Sequence, residues 1–384
     1  MQHSSNSAVR ASGRVYFPGL NTLRLYAALS VIIIHVPTYG FPRISTTDAF
    51  WEVRDFVQQF FLTGQDAVSL FFCLSGFLIT YLLLDERKRH GRFSFKRFYL
   101  RRATRILPLY YVIIGVGLLI YSLYPRNLKV PDTFSQLTLL FLSGHIGSAF
   151  GNLKLFGPLW SIGIEEWFYA TLPLLVRFLN VPILAIGIIA VRLGAIFIID
   201  PTYLNTRVID DMTAVFELLS LMRFECMAIG ALGAWLLINR SPLLRVIYAG
   251  EFLFWMGIVG LAIYAPETSG GFVYDVVVSI VSIGIILNVS TNPQRGIDLE
   301  LPLFRHLGQV SYGLYMYHVL VIHVVTGLFV EAALIERIEG AALLYAVVMV
   351  VTTGIAFASY HLFEKRINPP TLLTTKPALI GEHP

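Results

Sequence analysis

Runs of about 20 mostly apolar residues, enough for one helical crossing of a bilayer, recur between residues 22 and 362. Nothing else in the chain constrains its fold as strongly. Hydrocarbon offers backbone N–H and C=O groups no partners, so each run must pair its own peptide groups as a helix. The charge content agrees: 14% of the 384 residues are charged and 56% are hydrophobic, against roughly a quarter charged in soluble domains. Mean hydropathy is +0.68. A soluble enzyme, a secreted domain and a β-barrel are excluded. The fold class is an all-α polytopic transmembrane helix bundle.

The patterning predicts ten spans: 22–40, 61–84, 106–124, 157–178, 181–199, 217–238, 243–264, 273–290, 308–330 and 341–362. The apolar stretch 134–150 is too short to cross comfortably and is expected to re-enter or to lie at the interface. Ten crossings leave both termini on one side. With the termini inside, the cytoplasmic segments, taken with Arg177 and Arg245 at the inner ends of their spans, hold 19 of the 29 basic residues, nine of them between Arg87 and Arg105. The external segments then hold seven: Arg43, Arg54, Arg126, Lys129, Lys154, Arg207 and Arg337. Arg24, Arg192 and Arg223 fall within spans. This asymmetry predicts N-in, C-in.

Residues 1–20 read as a cytoplasmic tail lacking the apolar core and cleavage site of a signal peptide. Residues 21–365 form the membrane domain, and 366–384 a second cytoplasmic tail. The net charge of +5 needs topology rather than nucleic acid to explain it. Cys73 and Cys226 sit in apolar runs and read as packing residues. No HExxH or CxxC metal cluster, P-loop or GxGxxG appears.

Ionisable residues inside a bilayer are costly and usually face a protein interior or a watery cavity. Arg24 and His35 are 11 positions apart in the first span, within roughly 20° of one helix face and about 16 Å apart along it. One stripe thus carries a fixed cation and, deeper, a proton-exchanging imidazole. Pro37 predicts a kink or helix end near His35. The bland alternative is a snorkelling arginine and a hydrogen-bonded packing histidine; the shared face favours function. Arg102 and Arg105, an i, i+3 pair entering the third span, suit either bidentate phosphate binding or anchoring on anionic lipid.

Glu165 and Glu166, beside Ser161 and Tyr169, suit either orientation of an imidazole or the capping of a helix start. Ser75 and Gly76 read as small residues that allow close helix packing; without a GxSxG elbow, Ser75 is not a nucleophile. Arg223 and Glu225 are expected to pair within the membrane. Ser311, Tyr312 and His318 are polar positions in the ninth span, with His318 either a second proton carrier or a satisfied packing residue.

Arg24-x10-His35, LFFCLSGFLIT, RRATRILP, LWSIGIEEWFY and VSYGLYMYH follow one another in that order. Together, over residues 20 to 365, they resemble the integral-membrane acyltransferase family three, the bacterial O-acyltransferases of surface glycans and secreted glycosides. The resemblance implies a ten-helix domain that moves an acyl group, usually acetyl, from coenzyme A to a sugar hydroxyl. It puts Arg24 and His35 on the family's Arg-x10-His motif, with the histidine essential, Arg102 and Arg105 on its Arg-x-x-Arg motif, and Glu165 and Glu166 on its paired glutamates. Trp167 stands where glutamine is common, and Gly163 where a small polar residue is common. Many surface-glycan members carry a fused hydrolase-like domain after the last helix; none is expected in the nineteen residues that follow Lys365.

The expected function is therefore membrane-bound O-acyl transfer from acyl-CoA to a carbohydrate or glycoside in the bacterial cytoplasmic (inner) membrane, with no metal and no permanently bound cofactor. His35 acts either as general base or as transient acyl carrier, with Glu165 or Glu166 orienting it as in triad logic. Arg24, Arg102 and Arg105 bind the donor's phosphates. Ser75, Ser161, Tyr169, Arg223, Tyr312 and His318 are candidate supports. A transporter or flippase for a glycan or lipid-linked sugar, or a non-catalytic membrane subunit, would also bury such charges. The acceptor, acyl length and oligomeric state are not specified by the sequence.

Overall fold

The apolar runs become helices in a computed structural model that describes residues 9–11, 14–40, 48–123, 130–151, 153–199, 218–268, 272–331 and 338–367. Arg43, Arg126, Lys129, Arg207, Arg337 and most of both predicted tails lie outside the described residues. The first span is α1 (Leu20–Gly40), which runs through Pro37 instead of ending near His35. The proline leaves the Ile33 carbonyl without its usual i+4 donor, and beside it the Thr38 hydroxyl back-bonds to the Ile34 carbonyl at 2.9 Å.

After α2 (Asp48–Gln58) comes α3 (Gly64–His90). Thr63 caps its start by accepting from Asp66 N–H at 3.1 Å. Gly91, at φ 70, ends it in the left-handed region that glycine adopts without strain. Arg87, Lys88, Arg89 and His90 fill its last turn, where cations favour the negative end of the helix dipole. The basic connection is itself helical: α4 (Phe95–Leu123) begins within it and continues through Pro108.

The stretch 134–150 is two short helices, α5 (Thr133–Leu140) and α6 (Gly144–Phe150), broken by a turn. A single 3-10 turn at Lys154–Phe156 leads into α7 (Leu159–Phe178), followed by α8 (Val181–Ile199) and α9 (Phe224–Ile238). The seventh predicted span is bent by 62° at Gly250, between α10 (Leu243–Ala249) and α11 (Glu251–Thr268). Then come α12 (Phe272–Thr291), the short α13 (Pro302–Gln309), α14 (Ser311–Glu331) and α15 (Ile338–Ser359). The predicted start of the ninth span at 308 therefore moves to Ser311.

Among the described residues, seven helices are long and apolar enough to cross a membrane, or eight counting the bent pair. α7, which carries Glu165 and Glu166, and the shorter apolar run in α8 fall outside that set. Phe178, Val191, Phe252, Leu253 and Val350 are each more than two-thirds exposed. Large apolar side chains so exposed on outer helices are what a lipid-facing surface needs. The chain is an all-α polytopic membrane bundle.

Its core has two parts. α3, α4, α7, α9 and α12 share one apolar cluster, and α1, α14 and α15 share a second. The tightest crossing is α3 on α9. There a Cβ on Gly76 would overlap the Met227 carbonyl oxygen, and one on Gly230 would overlap the Cys73 carbonyl oxygen. Without a hydrophobic drive between helices in lipid, such close backbone approach supplies the packing. Cys73 and Cys226 are free and buried there, with Cys73 Sγ donating to the Cys226 carbonyl at 3.2 Å.

Arg223 and Glu225 do not pair with each other. Positions two apart point to different sides of a helix, so Arg223 meets Asp275 on α12 at 3.2 Å and Glu225 meets Arg192 on α8 at 3.4 Å. Arg223 also donates to Ser69 at 2.9 Å and to the Gln65 side chain at 2.7 Å. This buried network is a strut between helices, and Arg223 is not among the residues lining the cavity described below.

Before α1, two short strands, β1 (Val9–Ala11) and β2 (Arg14–Tyr16), pair antiparallel. The end of the predicted N-terminal tail is thus ordered, and Phe17, 5% exposed, packs edge-on against Phe77 and Tyr81. Tyr16 donates to Glu300, whose second oxygen accepts Gly19 N–H at 2.6 Å.

Candidate active site

Where the two core clusters meet, a cavity of about 260 Å³ opens between α1, α3, α4, α7 and α14. Helical spacing delivers its polar lining. Arg24 comes from the second turn of α1, Ser75 from mid α3, and Arg102 and Arg105 from one face of α4. Ser161, Glu165 and Tyr169 recur at i, i+4 and i+8 along α7, a single stripe. Tyr312 and Tyr315 come from the first two turns of α14. Phe71, Phe72, Leu78, Ile79 and Leu82 complete an apolar wall. Tyr16 and Phe17 also line it, so the tail assigned by sequence to the solvent contributes to the site.

Charge in the cavity is unbalanced. Most of the basic connection is neutralised locally: Arg89 pairs with Asp85, and Arg97 and Arg101 approach Glu86 at 4.0 and 3.5 Å. By contrast, among the described residues neither Arg24, Arg102 nor Arg105 is ion-paired to a carboxylate. Arg102 lies over the Tyr169 ring, 5.8 Å from its centre, and is half-buried, whereas Arg105 is exposed. Glu165 is the one carboxylate in the lining, and it accepts hydrogen bonds from Ser75 and Tyr169. Three guanidiniums and one carboxylate thus line a partly apolar hollow, and guanidiniums without carboxylate partners suit an anionic ligand.

The glutamates divide. Both lie in the second turn of α7, which starts at Leu159, so neither caps that helix. Glu165 is held in the cavity; Glu166 does not line it, and its buried Oε1 has no hydrogen-bond partner among the described residues. Neither orients His35. His318 is its partner instead: His318 Nε2 lies 2.7 Å from His35 Nδ1, and the two rings meet edge to edge, 12° from parallel with centres 5.0 Å apart. His318 is fully buried, and its Nδ1 is 2.5 Å from the Tyr315 carbonyl. A half-buried His35 also meets the edge of Tyr39.

The arginine cavity and the histidine pair are neighbours, not one space. Tyr315 lines the cavity, while His35 and His318 do not. The Tyr315 hydroxyl is tied to Ser161 at 2.7 Å and to the Pro158 carbonyl at 3.0 Å, which holds the phenol as a partition. Arg24 and His35 share a face of α1 yet end on opposite sides of it. Tyr315 was not among the sequence candidates. Its signal was the i, i+3, i+6 recurrence of Tyr312, Tyr315 and His318 on one face of α14. Tyr312 donates to the Ile106 carbonyl at 3.1 Å and ties α14 to α4, and Ser311 lines the cavity beside it.

The two unusual residues of the glutamate segment share one neighbour. A Cβ on Gly163 would lie 2.7 Å from His145 Nδ1 and 2.9 Å from the Leu142 carbonyl. Trp167, one turn on, meets the His145 ring edge-on at 4.8 Å. Gly163 and Trp167 therefore make the seat for α6 on α7, which accounts for a glycine where a serine would collide.

Comparison with known proteins agrees with this architecture. A family model described as an acyltransferase domain matches residues 17–361. The Bacillus subtilis protein YrhL, named provisionally as a peptidoglycan O-acetyltransferase, is 28% identical over 381 residues, covering 92% of this chain and 55% of its own. The peptidoglycan O-acetyltransferase OatA of Listeria monocytogenes is 31% identical over 170 residues, 42% of this chain and 24% of its own. The O-acetyltransferase OatA of Staphylococcus aureus is 28% identical over 172 residues, 43% of this chain and 25% of its own. The chain thus spans about half of the first relative and about a quarter of the others. No solved structure gives a significant match.

Proposed function

The chain belongs to the acyltransferase domain family, and we propose that it is a membrane O-acyltransferase moving an acyl group, acetyl first, from acyl-CoA to a hydroxyl of a cell-surface carbohydrate or glycoside. The observation that carries the donor is the cavity in which Arg24, Arg102 and Arg105 converge without carboxylate partners. Coenzyme A presents phosphates on a long, thin pantetheine arm, which matches cations leading into an apolar hollow. The nine basic residues between Arg87 and Arg105 support a cytoplasmic position for Arg102 and Arg105, on the side where acyl-CoA is made. The names of the relatives favour a glycan acceptor, peptidoglycan among them.

His35 is the proposed reactive group. As general base it takes the proton of the sugar hydroxyl while that oxygen attacks the thioester carbonyl; the C–S bond then breaks and the thiolate recovers the proton. As nucleophile its imidazole attacks the thioester carbonyl and the C–S bond breaks, releasing the thiolate; the acceptor hydroxyl then attacks the acyl-imidazole, the C–N bond breaks, and the hydroxyl proton passes to the thiolate. Both routes require the thioester to pass Tyr315, so the Tyr315–Ser161 bond opens during turnover. The Arg24, Arg102 and Arg105 set orients the donor, Glu165 holds Ser75 and Tyr169 at the cavity wall, and the cytoplasmic membrane of a bacterium is the proposed location.

Purified protein in proteoliposomes, given radiolabelled acetyl-CoA and soluble peptidoglycan fragments, should form an alkali-labile O-ester. His35→Ala protein should still bind acetyl-CoA but form none. Wild-type rates in His35→Ala would end both versions of the mechanism. Transport of a sugar without consumption of the donor would replace the enzyme with a carrier.

A further inference from the structure

We propose that His318 is a positioning residue that holds His35 as the Nδ1–H tautomer, leaving His35 Nε2 as the bare, reactive nitrogen. The inference rests on the reading of His35 as the reactive group and assigns which of its two nitrogens reacts. It follows from two contacts in series: Tyr315 carbonyl to His318 Nδ1 at 2.5 Å, and His318 Nε2 to His35 Nδ1 at 2.7 Å. A carbonyl only accepts, so His318 Nδ1 carries the hydrogen and donates. In a neutral ring Nε2 then holds a lone pair. The short contact to His35 therefore requires His35 Nδ1–H to donate, and neutral His35 keeps its own lone pair on Nε2.

The alternative, an imidazolium at His318 donating from both nitrogens, would put a cation at a site with no solvent exposure. Among the described residues no carboxylate is hydrogen-bonded or ion-paired to it, and a buried unpaired charge is costly. The neutral chain is favoured on that ground. Among the described residues His35 Nε2 has no hydrogen-bond partner, as a group awaiting a substrate proton should.

In serine hydrolases a carboxylate fixes the tautomer and supports the imidazolium. Here a second imidazole, itself fixed by a backbone carbonyl, does both jobs without a buried negative charge. When His35 Nε2 accepts the hydroxyl proton, its Nδ1–H still donates to the His318 lone pair, now as a charge-assisted bond. The positive charge stays on His35 until the leaving thiolate takes the proton back. The arrangement also ties the pair to the partition: the residue whose carbonyl orients His318 is the one whose phenol closes the cavity.

Two near-isosteric variants separate positioning from packing. His318→Gln puts an acceptor oxygen close to the former Nε2, whereas His318→Asn keeps a donor near the Tyr315 carbonyl and loses the acceptor for His35. Nitrogen NMR of ¹⁵N-histidine-labelled full-length protein in liposomes, with the His35 signals assigned by subtraction of a His35→Asn sample, reads the tautomer directly. We expect Nδ1 protonated and Nε2 bare in wild type and His318→Gln, and the reverse in His318→Asn. In the acetyl-transfer assay His318→Asn should lose about 100-fold in kcat with KM for acetyl-CoA unchanged, and His318→Gln should recover most of it. His35 found as the Nε2–H form in wild type, or equal losses in the two variants, would overturn the proposal. Full activity of His35→Ala would instead remove the premise that His35 reacts, while leaving the tautomer result standing.

Discussion

Removing the guanidinium of Arg102 tests the donor site at its strongest point. Arg102 is half-buried, lies over Tyr169, and among the described residues has no carboxylate to satisfy. Its charge is therefore available to a ligand and only partly screened. A hydrogen bond to a charged group contributes about 1.5–3 kcal/mol, and about 1.4 kcal/mol is tenfold in affinity. Arg102→Ala should weaken acetyl-CoA binding by roughly 10- to 100-fold. Arg102→Lys should fall between, since a point charge replaces the planar fork. Exposed Arg105 should cost about threefold or less when changed to Ala, with a steeper salt dependence. The assay is equilibrium binding to protein in nanodiscs at low and high salt. Acetyl-pantetheine, which has no phosphate, is the control and should be indifferent to Arg102. Equal losses for both donors, or no loss for acetyl-CoA, would refute the assignment of these cations to phosphates.

Three further outcomes follow from the packing. Asp275→Ala leaves buried Arg223 without its counterion and should destabilise the protein by about 3–5 kcal/mol; thermal unfolding in detergent checks this, and changing both residues to apolar ones should recover much of the loss. Gly230→Leu drives a side chain into the Cys73 carbonyl and should cost at least about 1–3 kcal/mol; an unchanged midpoint would mean that α3 and α9 can part freely. Asp132 caps α5 by accepting Ser135 N–H at 2.7 Å, and that bond lowers its pKa below the ordinary 3.8. A depressed carboxylate contributes stability that is fully present above the ordinary value and is lost as pH falls through the folded one. Amide exchange in α5 should therefore accelerate only below pH 3.8, and Asp132→Asn, which keeps an acceptor, should remove the pH dependence while preserving the cap.

The distance between the arginines and His35 bears on how such a site works. Tyr315 touches both: its side chain lines the cavity and its carbonyl meets His318, whereas neither histidine is among the lining residues. That separation would limit hydrolysis of the thioester by water reaching the imidazole. Ser161→Ala, which removes one of the two tethers on Tyr315, should raise the rate of acceptor-free acetyl-CoA hydrolysis, and an unchanged rate would argue that Tyr315 is no barrier.

The sequence by itself determined what depends on solvent and on neighbours along one helix. Runs of apolar residues compel helices in hydrocarbon, so the bundle was legible, although among the described residues seven helices, or eight with the bent pair, and not ten are long and apolar enough to cross. The i, i+3 pairing of Arg102 and Arg105 and the α7 stripe of Ser161, Glu165 and Tyr169 are properties of a single helix and survived into the cavity. What crosses between helices was decided only by tertiary structure. Arg223 chose Asp275 over Glu225 because facing, not proximity in sequence, sets an ion pair. Glu165 turned to Ser75 and Tyr169, and His35 to a partner 283 residues away. The strip ending in Phe17, polar enough to read as a tail, was drawn into the wall of the site by Glu300 and an aromatic cluster. Helix periodicity says which side chains share a face; which face meets which depends on how two backbones can approach, and here two glycines at the α3–α9 crossing set that approach.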